Sequence, residues 1–168
     1  MAEADPGFEA LCRHQYPRLV GALGLYTGDL AIAEELAQET LVRGWRNWRK
    51  LSQARDPAAW LFVTGFNLAK SHLRRVRAER RARTRLGNLP VASEADPAAD
   101  HDLRRSLAAL PHRYRAVLVL RYYGGYSLQE VADHLDVPLS TAKTWSARGL
   151  AALRDHTHID LKEASDVI

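Results

Sequence analysis

A polar and acidic stretch interrupts the middle of this 168-residue chain and separates two sets of helical patterns. From Leu86 to Asp102 there are four acidic residues, no Lys or Arg, and no periodic apolar residues. Glycine and proline punctuate the stretch, and a segment of this composition cannot bury enough apolar surface to fold on itself. We therefore expect two small helical domains joined by a flexible linker. The expected boundaries are a first domain at 8–85, a linker at 86–100, a second domain at 101–155 and a tail at 156–168.

Basic charge is concentrated immediately before this stretch. Between Lys70 and Arg85 the chain carries eight Lys and Arg residues and one acid, Glu79, which gives a local net charge of +7. The whole chain has 24 basic and 20 acidic residues and a net charge of only +4, so the distribution of charge is more informative than its total. A basic segment of this kind is suited to binding the phosphates of a nucleic acid.

Composition and motifs argue against several other classes of protein. No apolar run approaches the roughly 18 residues of a membrane span, and the start of the chain, MAEADPGF, lacks the regions of a signal peptide. A single cysteine, Cys12, rules out an internal disulfide and a cysteine-based zinc site. The chain has no phosphate-binding loop and no GxGxxG motif, and its seven histidines are dispersed. We therefore expect a cytoplasmic protein that is not an enzyme and holds no metal or cofactor.

The first domain has the period of α-helices rather than strands. Asp29 is placed to cap a helix whose glutamates come early and whose arginines come late, as the helix dipole favours. Asp56-Pro57 is likewise typical of a helix start, and a less regular helix is predicted from about Phe8 to Tyr26. The predicted buried side of the helix after Asp29 consists of Ala33, Leu36, Ala37, Thr40, Leu41, Gly44, Trp45 and Trp48.

The second domain begins with two helices that meet at a proline. Leucines at positions 103, 107 and 110 share one side of a short helix, which stops at Pro111. Pro111 opens the next helix, and Gly124-Gly125 ends it. The residues of this second helix that are predicted to face inward are Tyr114, Val117, Leu118 and Tyr122.

The end of the second domain has the pattern of a helix-turn-helix. Ser127–Glu130 has the residues of a capping box, in which a hydroxyl and a carboxylate satisfy free N–H groups at a helix start. After a short turn, a last helix begins near Ser140. Its predicted packed face contains Ala142, Ser146, Gly149, Leu150 and Leu153. Two short helices joined by a tight turn are an arrangement that reads the major groove of DNA.

Together these blocks resemble the extracytoplasmic-function (ECF) sigma factors of bacterial RNA polymerase. The resemblance rests on Asp29–Trp45, Asp56–Arg75 and Leu103–Arg154, and it covers about 8–155. It implies an all-α protein that keeps only sigma regions 2 and 4. It also implies a subunit that binds core polymerase through the clamp coiled coil and the flap, recognises −10 and −35 promoter elements, and catalyses nothing itself. Many members of the family are controlled by an anti-sigma protein, which is a further expected partner.

The resemblance implies that the helix Asp29–Trp48 docks on the clamp coiled coil of the polymerase. Its contact residues would form the exposed and charged side of the helix. These residues are Glu34, Glu35, Gln38, Glu39, Arg43 and Arg46. A solvated face of mixed charge is the alternative, and it is the usual one for an arbitrary helix.

The next helix and the loop before it resemble the part of the family that opens and reads the −10 element. Opening requires a base held outside the stack, with cationic and aromatic groups along the single strand. The implied residues are Ser52, Gln53 and Arg55 in the loop, Asn67 for a flipped base, Ser71, and Lys70, Arg74, Arg75 and Arg77 for phosphates. Ser71 stands where the family often has an acid, so the −10 sequence does not follow from the resemblance. Trp60 opens an apolar run, so we predict that it belongs to the core, and a stacking platform for an unpaired base is the alternative.

The last helix resembles the part of the family that reads the −35 element. Lys143 and Arg148 occupy matching contact positions, and hydroxyl groups near the helix start suit phosphate oxygens. The implied set is Ser140, Thr141, Lys143, Thr144 and Arg148. Trp145 and Ala147 depart from the family pattern. We predict that the Trp145 indole packs on the neighbouring helix, and contact with a thymine methyl is the alternative.

Two other functions would account for part of the sequence. A stand-alone helix-turn-helix regulator would use its first domain for sensing or dimerisation and would read repeated half-sites. An interaction protein without a DNA role would leave the +7 segment and the helix-turn-helix unexplained. Transcription from a defined promoter, by sigma-free core polymerase supplied with this chain, would distinguish the three functions.

Overall fold

Every regular element of the described residues is helical. The computed structural model describes residues 5–85 and 101–156, which fall into two compact units. The first unit contains α1 (Pro6–Thr27), α2 (Leu30–Arg46), the one-turn α3 (Trp48–Leu51) and α4 (Pro57–Arg85). The second unit contains α5 (His101–Ala109), α6 (His112–Leu118), a π-helical turn (Val119–Tyr123), α7 (Leu128–Leu135) and α8 (Leu139–His156). The predicted all-α fold with two helical domains is confirmed.

Parts of the sequence-based predictions concern residues that the structure does not describe. The linker at 86–100 lies outside the described residues, and so does the tail beyond His156. Within 5–85 and 101–156, no helix combines the length and the apolar character that a membrane crossing needs.

Capping residues set the ends of the helices in the first unit. As predicted, the Asp29 carboxylate accepts a hydrogen bond from the Ile32 N–H (3.1 Å), and Asp56 accepts one from Ala59 (2.9 Å). Asp5 caps α1 in the same way, through the Gly7 N–H at 2.8 Å. Gly28 then ends α1 with a φ of 81°, a left-handed conformation that glycine adopts without strain.

Close packing of α1, α2 and α4 forms the core of the first unit. A Cβ atom added at Gly65 of α4 would lie only 3.0 Å from Leu19 of α1 and 3.3 Å from Thr40 of α2. Thr40 is fully buried, and its hydroxyl donates to the Leu36 carbonyl (2.7 Å). Because small residues line the contact, the helix backbones approach closely and fix which side of α2 faces outward.

One residue predicted to be buried on α2 lies at the surface instead. Trp45 is 40% exposed, since each residue turns the helix by about 100° and Trp45 follows the buried Gly44. Its ring and that of the half-buried Trp48 pack against Phe8 of α1, with centroid distances of 5.2 Å in each pair. The buried residues of α2 are all small, so α1 and α4 approach this side closely and leave no space for an indole.

The second unit is held together by α8, which packs against α5, α6 and α7. The predicted capping box of α7 is present: Ser127 N–H donates to Glu130 Oε2 (2.8 Å), and Glu130 N–H donates to Ser127 Oγ (3.2 Å). The hydrogen bond from Ser127 lowers the pKa of Glu130. Asp136 then ends α7 in a left-handed conformation with φ of 53°.

A π-helical turn changes the register of the helix that follows Pro111. The Gly124 N–H donates to the Val119 carbonyl (2.9 Å), so the last turn contains an extra residue and rotates the side chains that follow. Val119 and Leu120 are consequently buried, whereas Tyr122 is 62% exposed and Tyr123 44% exposed. The prediction that Tyr122 faces inward was wrong, because it assumed a regular α-helical period.

The buried Arg115 joins α6 to the end of α5. Its Nη2 atom donates to the carbonyls of Ala108 and Leu110 (3.1 Å to the latter), which would otherwise lack partners at a helix end. We expect Arg115→Ala to lower the free energy of unfolding of the second unit by roughly 2–4 kcal/mol, because buried carbonyls and a cavity would remain. Native-state hydrogen exchange of the α6 amides measures this loss. The exposed Arg154→Ala is the control, and equal protection in both variants would contradict the prediction.

Candidate functional site

The outward side of α2 presents the whole predicted docking set to solvent. All six residues are exposed: Glu34, Glu35, Gln38, Glu39, Arg43 and Arg46. Within the set, Arg43 Nε and Glu39 Oε1 form an ion pair of 2.8 Å, in which both side chains are about half exposed. Such a pair stabilises a helix by only a few tenths of a kcal/mol, so both charges remain available to a partner.

Two apolar residues belong to the same outward side. Val42 is 43% exposed and lies near the middle of the charged face, since positions 35, 39 and 46 surround it on the helix. Trp45, which the sequence pattern assigned to the packed side, lies at the edge of the charged face. Exposed apolar and aromatic groups within a polar rim are typical of the centre of a protein–protein interface. Val42 was absent from the predicted set, although an apolar residue amid charges was a signal for it.

Two of the predicted −10 residues of α4, Asn67 and Arg74, lie on one stripe of this helix together with Trp60. Trp60, Asn67 and Arg74 recur every seven residues, or about two turns, so they lie along one line of the helix. This line is opposite the buried Phe62 and Ala69. The predicted residues on α4 are all exposed: Asn67, Lys70, Ser71, Arg74, Arg75 and Arg77.

Trp60 was predicted to belong to the core, but it lies outside the buried core of the first unit. It is half-buried, and it lies on the side of α4 that carries Asn67, about 10 Å of helix away. The apolar run that begins with Trp60 suggested burial, but its buried residues start one position later, at Leu61. An indole that is partly open on this stripe is suited to stacking on an unpaired base.

The predicted loop residues lead directly into this stripe. Ser52, Gln53 and Arg55 are exposed in the connection between α3 and α4. The connection is tight, with hydrogen bonds from Gln53 N–H to the Lys50 carbonyl (3.3 Å) and from Ala54 N–H to the Leu51 carbonyl (3.0 Å). It therefore holds polar side chains at the start of α4. Asn67 lies further along this helix, about 15 Å from Pro57.

The last part of α4 is a concentrated positive surface. From position 77 to position 85 every residue is exposed. Five of these residues share one side of the helix: Arg77, Arg80, Arg81, Thr84 and Arg85. The acid of this stretch, Glu79, lies 3.9 Å from Arg75 in a pair that is mostly exposed. The surface is therefore suited to a polyanion.

The outward side of α8 carries the predicted −35 residues. Ser140, Lys143, Thr144 and Arg148 are exposed, and Thr141 is half-buried. The opposite side packs through Ala142, Ser146, Gly149 and Leu153, as predicted. The Thr144 hydroxyl donates its proton to the Ser140 carbonyl (2.9 Å). A hydroxyl has one proton to donate, so in this rotamer Thr144 offers an acceptor to DNA rather than a donor to phosphate.

Arg148 belongs to a cluster that sequence patterns did not indicate. We call Arg113, Tyr114 and Arg148 the arginine–tyrosine cluster. The guanidinium of Arg113 lies 5.0 Å from the centre of the Tyr114 ring. Hydrogen bonds from Arg113 and Arg148 to the Tyr114 side chain lower its pKa. Tyr114 is half-buried rather than wholly inward, so its phenol reaches the same surface as Arg148.

Family models match both units of the chain. The model for sigma-70 region 2 covers residues 11–79, and the model for sigma-70 region 4 covers residues 100–153. The ECF RNA polymerase sigma factor SigL of Mycobacterium tuberculosis is 33% identical over 155 residues, which are 86% of this chain and 88% of SigL. This chain belongs to the ECF sigma factor family. It is a promoter-directing subunit of RNA polymerase, and its partners are core polymerase and promoter DNA.

A second ECF sigma factor agrees with the family assignment, and solved sigma structures share the fold. SigK of Mycobacterium bovis is 32% identical over 151 residues, which are 84% of this chain and 81% of SigK. The sigma factor RpoE, in complex with the anti-sigma factor NepR from Bartonella quintana, has the same fold. Its TM-score is 0.80 at 22% identity, with 93% of this chain and 99% of RpoE covered. CnrH in complex with the cytosolic domain of CnrY gives a TM-score of 0.63, at 23% identity and with 88% and 85% covered.

Proposed function

We propose that the two units of this ECF sigma factor divide promoter recognition between them. The first unit docks on the clamp coiled coil of core polymerase and opens the −10 element, and the second reads the −35 element and contacts the flap. The observation that carries this assignment is the common placement of the implied residues. With the exception of the half-buried Thr141, each of them is exposed, and those on α2 and α8, like Asn67 and Arg74 on α4, lie on helix sides away from the buried residues.

The docking assignment is supported by the composition of the outward side of α2. Charged residues of both signs surround Val42, and such a rim favours one orientation of a complementary partner. The exposed Val42 and the ring of Trp45 supply apolar area that a bound helix can cover. A merely solvated face would not need either of these side chains at the surface.

The −10 assignment is supported by the order of groups along α4. The half-exposed indole of Trp60 comes first, then the amide of Asn67, then the cations from Lys70 onward. A single strand laid along this stripe would meet a stacking surface, a group able to pair with a base edge, and charges for phosphates.

Membership of the family and the solved structures support three further proposals. We propose that the chain performs recognition only, while the polymerase supplies the chemistry of transcription. It would act in the cytoplasm, because its polymerase and promoter partners are located there. Since RpoE and CnrH were solved with NepR and with the cytosolic domain of CnrY, we also propose that an anti-sigma protein regulates this chain.

Transcription by a reconstituted polymerase tests the proposed function. Purified chain added to sigma-free core polymerase should give a transcript from a promoter with matching −10 and −35 elements, and none from scrambled elements. A stand-alone regulator would bind the same DNA without core and would leave the core inactive. Failure to bind core in any condition would refute the proposal.

Asn67 gives a specific test of −10 opening. We expect Asn67→Ala to slow promoter opening by roughly fivefold, which corresponds to the loss of about one hydrogen bond to a base. Permanganate reactivity of −10 thymines, measured over time in the holoenzyme, reports the opening. Gln129→Ala is the control, because it removes an exposed side-chain amide at a position outside the proposed −10 surface. Equal opening rates for Asn67→Ala and the unmodified chain would argue against the role of this amide.

Trp145 distinguishes packing from DNA reading on α8. It is half-buried between the packed and outward sides. We expect Trp145→Arg to remove about 1 kcal/mol of stability, or roughly 4 to 8 °C in melting temperature, because apolar contact is lost. The ranking of −35 sequences should stay the same. The exposed Ala147→Arg is the control for stability. A changed preferred base at normal stability would instead make Trp145 a specificity residue.

A further inference from the structure

The arginine–tyrosine cluster connects α6 to the proposed −35 reading side of α8. Tyr114 belongs to α6, and its Cβ lies 3.2 Å from the place where a Cβ would stand on Gly149, the residue after Arg148. No side chain at position 149 separates the two helices, so Tyr114 packs directly against the turn of α8 that carries Arg148. On its other side the Arg113 guanidinium lies 5.0 Å from the ring centre.

The phenol is chemically suited to hold two cations that would otherwise repel each other. A tyrosine hydroxyl has two lone pairs, and each can accept a hydrogen bond from a guanidinium N–H. The pKa of Tyr114 is lowered through hydrogen bonds from Arg113 first and from Arg148 second, as expected if both donate to its oxygen. The ring also attracts Arg113 through its face.

We propose that Tyr114 is a positioning residue for −35 recognition, whose hydroxyl fixes the Arg148 guanidinium in the direction in which it meets DNA. This inference rests on the proposed contact of Arg148 with the −35 element. A free arginine loses several rotatable bonds when it binds, whereas a guanidinium already held by a neighbour loses less. The N–H groups of Arg148 that Tyr114 does not engage remain free to bind a base edge or a phosphate.

The proposal predicts that Tyr114 acts on DNA only through Arg148. In the holoenzyme, Tyr114→Phe keeps the ring against Gly149 and removes only the hydroxyl. We expect it to weaken binding to a promoter with the preferred −35 element by roughly three- to tenfold. Arg148→Ala should weaken binding as well. In the Arg148→Ala background, the further change Tyr114→Phe should have no effect.

Each result of this double-mutant cycle has a defined meaning. Tyr122→Phe is the matched control, since it removes a hydroxyl that is exposed elsewhere on the same unit. An equal effect of Tyr114→Phe with and without Arg148 would overturn the positioning role. No effect of Tyr114→Phe, while Arg148→Ala weakens binding, would overturn it too but would leave the −35 role of Arg148 intact. No effect of Arg148→Ala would refute the proposed function of Arg148 and this inference with it.

A spectroscopic signature separates positioning from a general structural role. The full chain can be labelled with ¹³C at the tyrosine Cζ atoms, and the Tyr114 signal assigned by its absence in Tyr114→Phe. In Arg148→Ala the pKa of Tyr114 should rise toward the ordinary tyrosine value, because one of the groups that lower it is gone. An unchanged titration would show that Arg148 does not engage the hydroxyl and would overturn the proposal.

Discussion

Reversing the charges of Glu35 and Glu39 together is expected to lower the affinity of the chain for core polymerase by at least tenfold. Both carboxylates are exposed close to Val42, about two turns and one turn before it on α2, within the proposed docking face. Lysines at these positions would place like charges against whatever basic groups the clamp presents, and such juxtapositions cost several kcal/mol at an interface. In the free chain, the lysine introduced by Glu39→Lys would also lie beside Arg43, which costs only a few tenths of a kcal/mol.

A titration of fluorescent chain with core polymerase measures this loss. Glu9→Lys with Glu79→Lys is the control, because it makes the same change in net charge at exposed positions outside α2. The far-ultraviolet circular dichroism of both double variants should match that of the unmodified chain. If the α2 variant binds core with unchanged affinity, the outward side of α2 is a solvated surface and not the docking face.

Removing the three arginines at positions 74, 75 and 77 is expected to weaken holoenzyme binding to every promoter, whatever its sequence. All three are exposed at the start of the positive end of α4. Each phosphate contact contributes about 0.7 to 0.9 to the slope of log K against log salt. Three lost contacts should therefore reduce this slope by roughly 2.1 to 2.7 in total, with the largest loss of affinity at low salt.

Promoter binding measured over a range of salt concentrations tests this expectation. The control replaces three exposed arginines elsewhere with alanine, at positions 13, 105 and 154, and should leave the slope nearly unchanged. A slope that is the same in both triple variants would mean that the arginines of α4 are solvated in the promoter complex. A weakened affinity with an unchanged slope would point to damage to the fold rather than to lost phosphate contacts.

Local chemistry was enough to predict most of the helices. The caps at Asp29 and Asp56 and the box at Ser127 and Glu130 all form as expected, because they depend on side chains within three residues of the backbone groups they satisfy. The packed sides of α2 and α8 were largely predictable for a similar reason. A periodic run of small and apolar residues has one energetically reasonable direction in which to face.

The errors arose where geometry departs from a regular period or where neighbours compete for space. Tyr122 turned outward because a π-helical turn inserts one residue, which no periodic pattern anticipates. Trp45 was assigned to the packed side of α2 from the helical period, and Trp60 to the core from the apolar run that it opens, although each lies next to the buried residues of its helix rather than among them. The arginine–tyrosine cluster was hidden because its members come from helices distant in sequence, and only packing against Gly149 brings them together.

The end of α4 behaves as a polyelectrolyte rod. Beyond Val76 it has no buried side chain up to position 85, so its helical form depends on backbone hydrogen bonds and on the propensity of Arg and Ala. Arg77 and Arg81, and likewise Arg81 and Arg85, are four residues apart, so their mutual repulsion opposes the helix. Added salt should therefore raise the helix content of this segment in the free chain and lower its affinity for DNA. A bound phosphate backbone neutralises the same charges, so it acts on this rod as ligand and as structural counterion at once.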